Sequence, residues 1–214
     1  MKQLLAGYQR FRASGWPEKC RAFESLAANG QSPKALVVAC IDSRVDPAMI
    51  FDTPPGEMLT VRNVANLVPP YAPDASYHGT SAALEFGVRL LEVRHLIVLG
   101  HSFCGGVQAL LEDAPNNAHE FIAPWMSIAR PALVRARRCV SAEERQRCCE
   151  HEGVKISLTN LMTFPWIAER VAAGKLELHG AWFDIRNGTL MILRPDGSFT
   201  PHGDSGVPEE SCRD

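Results

Sequence analysis

Two short clusters carry the residue types that do metal chemistry: Cys40-Ile41-Asp42-Ser43-Arg44 and His101-Ser102-Phe103-Cys104-Gly105-Gly106. Thiolate and imidazole are soft or borderline donors that suit zinc. His101 and Cys104 are three apart at a turn entering a helix, so both can reach one ion, and Cys40 supplies a third donor. Structural zinc usually has four protein ligands, whereas a catalytic site keeps a position for water. Gly105-Gly106 lets backbone approach closely and begins a helix, whose first amides favour anions. Asp42, two residues past Cys40, is expected beside the metal, with Arg44 holding its carboxylate in a bidentate pair that keeps it ionised and oriented. An oriented carboxylate can accept a hydrogen bond from metal-bound hydroxide, or take the fourth position itself and shut the site. Taken singly, Cys40 reads as core packing, His101 as a turn residue and Asp42–Arg44 as a structural ion pair. The combination is what favours a metal site.

The elements around these clusters must place them together. The first strand is Ala35–Ile41, a continuous run of branched residues, and a second extended piece is Met58–Val61. A helix follows from about Ser76 to Leu91, with Ala83, Leu84, Phe86, Gly87, Leu90 and Leu91 at helical spacing, and then the clearest strand, His95–Leu99. Buried strands alternating with helix predict an α/β fold, a mostly parallel sheet with crossover helices. Ligands of open α/β sheets bind outside the carboxyl ends of strands, and both clusters stand at such ends. Further helix is expected after Gly106, over about Asn117–Ala136 and over Ser141–Ala173, with breaks near Pro131 and Phe164-Pro165. Two late strands, about Leu176–Ile185 and Thr189–Leu193, flank Asn187-Gly188, a strong hairpin signal. Residues 1–29 read as two helical pieces broken at Gly15-Trp16-Pro17, an arm that packs on the body or on a partner subunit. The tail from Pro195 is expected to be irregular. No linker divides the chain, so residues 1–214 are expected to form a single domain, with 1–30 the arm and 194–214 the tail.

Composition bounds the function. Hydrophobic residues are 46% and charged residues 21% of 214, which excludes bulk disorder, collagen and long coiled coils. The formal net charge of −2 gives no global nucleic-acid or membrane footprint. No run approaches the length of a membrane-spanning helix. The opening MKQLLAGYQRFR is charged and polar where a secretory core would be apolar, so a cytoplasmic chain is expected. Seven cysteines, an odd number spread over the chain, do not form a small disulfide scaffold. Cys20, Cys139, Cys148, Cys149 and Cys212 read as spare thiols. The six arginines between Arg130 and Arg147 read as a solvated helical face, not an RNA-binding surface. His78, His95, His119, His151, His179 and His202 show no reliable metal spacing.

The chain resembles the β-class carbonic anhydrases, and within them the plant-type branch. The likeness runs through C-x-D-S-R and G-H-S-x-C-G-G, and through Gly30-Gln31-Ser32-Pro33-Lys34, Pro55-Gly56-Glu57, the stretch from Val61 to Tyr71 and the stretch from Gly79 to Phe86. It continues through Ser157–Leu161 and Gly180–Asp184. The resemblance implies zinc, one per chain, on Cys40, His101 and Cys104, with Asp42 and Arg44 as the dyad. Gln31 matches a pocket glutamine that donates to bicarbonate, and the Gly105 amide a second donor. Pocket residues of the family lie at a dimer interface, so Gln31 is expected to serve the neighbouring subunit's zinc. A homodimer or multiple of dimers, with an N-terminal arm embracing the partner, is implied.

The implied reaction is reversible hydration of carbon dioxide to bicarbonate and a proton by zinc-bound hydroxide. Carbon dioxide would rest on an apolar wall of Leu59, Val64 and Phe86. Two thiolates put more negative charge on the metal than histidines do, so activity is expected at mildly alkaline pH. Leu59 stands where the plant-type pattern has phenylalanine, Phe86 where it has tyrosine, and Leu90 where some relatives carry histidine. Val37, Arg62 and Phe183 stand where a bacterial branch has the tryptophan, arginine and tyrosine of a non-catalytic bicarbonate site, so that regulation is not expected. The alternatives are hydrolysis of carbonyl sulfide or carbon disulfide on the same ligands, and a non-catalytic zinc-stabilised binding subunit with Asp42 locked on the metal.

Overall fold

The computed structural model describes residues 1–112 and 120–203; Cys212 and His119 lie outside them. The chain begins with α1 (Lys2–Arg10), a π turn (Phe11–Gly15) and α2 (Trp16–Asn29). Gly15-Trp16-Pro17 therefore does not break the helical run, contrary to the sequence expectation. Pro17 lacks an N–H, and the widened turn, in which the Trp16 N–H reaches back to the Phe11 carbonyl, absorbs the defect at the first turn of α2. Neither α1 nor α2 buries a residue, and Leu4, Leu5 and Tyr8 of α1 are exposed.

The body is built on one six-stranded sheet in the order β2-β1-β3-β4-β5-β6. Its strands are β1 (Ala35–Cys40), β2 (Met58–Asn63), β3 (His95–His101), β4 (Glu177–Asp184), β5 (Thr189–Leu193) and β6 (Phe199–Pro201). β2, β1, β3 and β4 are parallel, while β5 and β6 add antiparallel. The mostly parallel α/β sheet is as expected, and β4–β5 is the hairpin marked by Asn187-Gly188, with Gly188 at φ 66.

The helices lie where burial requires them. After β1 comes the single turn α3 (Pro47–Ile50). The helix α4 (Gly79–Glu85) runs on through a π turn to Leu90. Then follow α5 (Gly105–Leu111), α6 (Ile122–Met126), α7 (Arg130–Ala136), α8 (Ala142–Leu161) and α9 (Pro165–Ala172). Ser141 and Glu144 close a reciprocal capping box on α8, each side chain accepting the other's backbone N–H. Alternate residues of β1 and β3 point to opposite faces. Leu36, Val38, Leu96 and Val98 pack under Leu84, Val88, Val154, Leu161 and Ile167, while Val37, Ala39, Leu99 and Ala181 form the other face's cluster. A third cluster gathers Cys40, Cys104, Val107, Met126, Ala132 and Cys149 at the carboxyl edge.

The tail departs from expectation at β6, where Phe199 is an ordered strand residue. Its ring stacks on His151 at 4.2 Å, and Trp182 meets the same imidazole edge-on at 4.9 Å. Burial, then Lys155 and Arg147, push His151 from its ordinary 6.5 down to about 4. The folded chain thus keeps this imidazole neutral where the unfolded chain protonates it. The associated stability is complete above about pH 6.5 and falls as pH drops towards 4, by about 3 kcal/mol in all. His151→Phe keeps a ring of similar shape and has nothing to protonate. Urea titrations at pH 7 and pH 4.5 are expected to show a smaller acid loss in His151→Phe than in wild type. Equal losses would refute the assignment.

Candidate metal centre

β1 and β3 are neighbours in register, so their carboxyl ends bring Cys40 and His101 to one edge. His101 is the last residue of β3, and Phe103, at φ 57, turns the chain so that Cys104 caps α5. A left-handed non-glycine residue is costly and persists where its surroundings fix it. Gly106 permits the close approach this needs, because an added Cβ would stand 2.7 Å from Val64 Cγ1.

The donor atoms of Cys40, His101 and Cys104 lie within 4.8 Å of one another, and all three residues are buried. The two sulfurs are 3.9 Å apart. Two thiolates about 2.3 Å from a tetrahedral zinc stand about 3.8 Å apart, so the pair has the right span. His101 Nδ1 is 2.9 Å from the Ser102 carbonyl, to which it donates. That bond leaves the proton off Nε2, which is buried without a hydrogen-bond partner. A bare nitrogen lone pair facing two thiols is the donor set zinc takes, and the residues fit the ion.

The electrostatics agree. The Cys40 thiol is pushed down chiefly because its thiolate accepts from Cys104, against burial, with the nearby His101 imidazole acting in the same direction. Cys104 is pushed up by the Cys40 sulfur beside it and by burial. Alone, the pair readily carries one negative charge but resists a second, and a cation between the sulfurs removes that resistance. Burial works against a charged His101, but the neighbouring Cys40 thiolate outweighs it and raises the imidazole.

Asp42 is not among the converging donors. Arg44 holds it instead, with Nε to Oδ1 at 2.9 Å, Nη2 to Oδ2 at 2.7 Å and the backbone N–H to Oδ1 at 3.0 Å. These bonds hold the Asp42 carboxyl well below the usual carboxylate range, against a smaller opposing effect of burial. Nη2 of Arg44 also donates to the Phe103 carbonyl at 3.0 Å, tying the dyad to the turn between His101 and Cys104.

Two residues support the site in roles that the sequence did not indicate. Glu150 of α8 is buried and accepts from the Cys104 N–H at 3.0 Å, Gln146 Nε2 at 3.1 Å and Trp182 Nε1 at 3.2 Å. Burial raises its pKa, opposed by those bonds. The signal in the sequence was an acid beside Cys149 in the middle of a long helix. Arg62 of β2 donates to the carbonyls of Cys40, Asp42 and Val45 and braces the loop bearing the dyad. It is thus occupied by its own backbone.

The remaining sequence-selected residues divide in two. Val64 packs on Gly106 and, with Ile41, lines an apolar groove of about 550 Å³ shared with Pro69, Ile122 and Trp125. Gly105 opens α5, and a Cβ there would meet nothing within 4 Å. Gln31, Leu59 and Phe86 lie elsewhere. Leu59 pairs with Leu36, four residues before Cys40, which is about 13 Å along the strand. Gly87, next to the exposed Phe86, packs at that same level on Leu36 and Leu59. Gln31 is exposed and precedes β1 at the amino edge of the sheet. These three do not reach the metal donors of their own chain.

Comparison with known proteins places these features. The carbonic anhydrase family model matches residues 35–190. Beta carbonic anhydrase 3 of Arabidopsis thaliana is 38% identical over 208 residues, covering 94% of this chain and 80% of the relative. Mitochondrial beta carbonic anhydrase 6 of the same plant is 35% identical, covering 95% and 71%. The solved β-carbonic anhydrase CcaA superposes with a TM-score of 0.86 at 31% identity, over 95% of this chain and 92% of that one. A tetrameric β-carbonic anhydrase of Sordaria macrospora gives 0.78 at 28% identity, over 93% and 98%.

Proposed function

The chain belongs to the β-carbonic anhydrase family, and on that premise we propose how its residues divide the work of reversible carbon dioxide hydration. Cys40, His101 and Cys104 hold the zinc; the buried, unpartnered Nε2 of His101 facing two thiols carries this reading. When bound, the ion acts as a Lewis acid and makes hydroxide available from water near neutral pH. Asp42 accepts a hydrogen bond from the nucleophile and so fixes the direction of its lone pair. Arg44 occupies both Asp42 oxygens, which keeps the carboxylate ionised and off the metal. Asp42 locked on zinc in a non-catalytic subunit is the arrangement this pairing disfavours. Ile41 and Val64 offer carbon dioxide an apolar wall, and the Gly105 N–H at the open start of α5 is a donor for bicarbonate.

Gln31, Leu59 and Phe86 complete the pocket of a partner subunit. Their distance from their own metal edge supports this, as do the uncovered apolar side chains of α1 and the tetrameric state named for the Sordaria macrospora relative. A homodimer, or a multiple of dimers, is the assembly we assign. No described helix is long and apolar enough to cross a membrane. The six described cysteines are thiols, which suits a reducing compartment such as the cytoplasm.

Stopped-flow carbon dioxide hydration by Asp42→Asn tests the scheme. The amide keeps one uncharged acceptor oxygen, replaces the other with a donor and loses its ionic pair with Arg44. A fall in kcat of about 100-fold is expected, with zinc content at the wild-type level. Wild-type kcat in zinc-replete Asp42→Asn would remove Asp42 from the reaction.

A further inference from the structure

β3 carries a histidine at each end. His101 closes the strand at the catalytic edge, and His95 opens it at the amino edge, about 20 Å away. His95 and His179 are 84 residues apart and show no metal spacing along the chain. The parallel register removes that distance. His95 of β3 lies opposite Glu177 of β4, and His179 stands two residues further along, on the same face of β4. His95 Nδ1 and His179 Nε2 are 3.1 Å apart. Glu177 Oε2 is 3.9 Å from the first nitrogen and 3.7 Å from the second.

We propose that His95, Glu177 and His179 form a second divalent-metal site, distinct from the catalytic centre, that takes zinc or a similar borderline cation. Nitrogen and oxygen ligands about 2.1 Å from a tetrahedral ion stand about 3.4 Å from one another. The three observed separations, 3.1, 3.7 and 3.9 Å, bracket that edge. Two imidazoles and one carboxylate are the donors expected of such an ion, and neutral imidazole is the form that binds. The side chains are 43%, 68% and 40% exposed, so the ion can enter from solvent and keep water in its remaining positions. Burial and the neighbouring His95 both lower the His179 pKa, against Glu177, which favours the neutral ring. Without a cation, the short nitrogen–nitrogen distance is one N–H donated to one lone pair. A metal engages both rings at once. Arg94, Lys175 and Arg170 line the adjacent groove, with Glu92 paired to Arg170 at 3.1 Å. Those cations oppose a second positive charge, so direct ligand bonds must hold the ion there. The bound ion would tie the amino ends of β3 and β4 together.

The test counts metal on the intact protein. Zinc-loaded wild type and the double variant His95→Gln/His179→Gln are dialysed against the same excess of free Zn2+, and zinc per chain is measured by elemental analysis. Two ions per wild-type chain and one per double-variant chain are expected, with equal carbon dioxide hydration at the catalytic site. In Cys104→Ser the second ion should persist, which separates this site from the catalytic reading. Circular dichroism of the double variant checks that the fold is kept, and the single variant His95→Gln serves if it is not. One ion per wild-type chain in excess Zn2+, or a second ion that survives in a folded variant, overturns the proposal.

Discussion

Cys104→Ser is expected to lose the catalytic zinc and, with it, carbon dioxide hydration by more than about a thousandfold. Serine keeps the shape of the side chain but does not ionise, and its oxygen is a poorer donor to zinc than a thiolate. The site has three protein donors, so removing one leaves Cys40 and His101 to hold the ion. Among the described residues no other donor converges on the site. Asp42 is the nearest carboxylate in sequence, but Arg44 engages both of its oxygens. Glu150 lies behind Cys104 and is spent on the Cys104 N–H, Gln146 and Trp182. Zinc per chain, hydration rate and thermal midpoint should fall together, since an ion that binds only the folded chain also stabilises it. Cys148→Ser, a half-buried thiol outside the donor set, should keep both zinc and rate. Wild-type zinc content and hydration in Cys104→Ser would dismiss the proposed ligand set.

The legibility of this site follows from how local its parts are. Cys40-x-Asp42-x-Arg44 and His101-x-x-Cys104 are short spacings on one strand end each, so their chemistry shows in the sequence, and the parallel sheet implied by buried strands puts the two together. Glu150 was not legible because its role depends on which face of α8 meets the Cys104 amide. His95 and His179 were not legible because strand register, set by packing over the whole sheet, makes them neighbours. The π turn at Phe11–Gly15 shows the limit of reading breakers singly: Pro17 ends a helix only when the preceding turn cannot widen. β6 was missed because Phe199 gains its strand from covering His151, a contact that composition does not encode.

Mixed dimers of Gln31→Ala and Cys104→Ser chains are expected to regain about half of wild-type hydration, although each variant alone is defective. β1 alone separates residue 35 from Cys40 by about 16 Å, and Gln31 lies four residues before the strand begins. A glutamine side chain cannot return over that length to its own zinc. Across a two-fold interface the same residue can face the partner's open coordination position. In the mixed dimer, the Gln31→Ala chain keeps an intact metal centre and receives Gln31 from its Cys104→Ser partner. The reciprocal site receives no glutamine and holds no zinc. One complete site in two therefore forms, whereas a glutamine acting within its own chain would leave none. Two differently tagged chains, co-expressed and purified through both tags, isolate the mixed species for stopped-flow assay. Activity no greater than the mean of the two parent variants would place Gln31 outside the partner's site. Recovery would show that Gln31 of one chain completes the catalytic pocket of its partner.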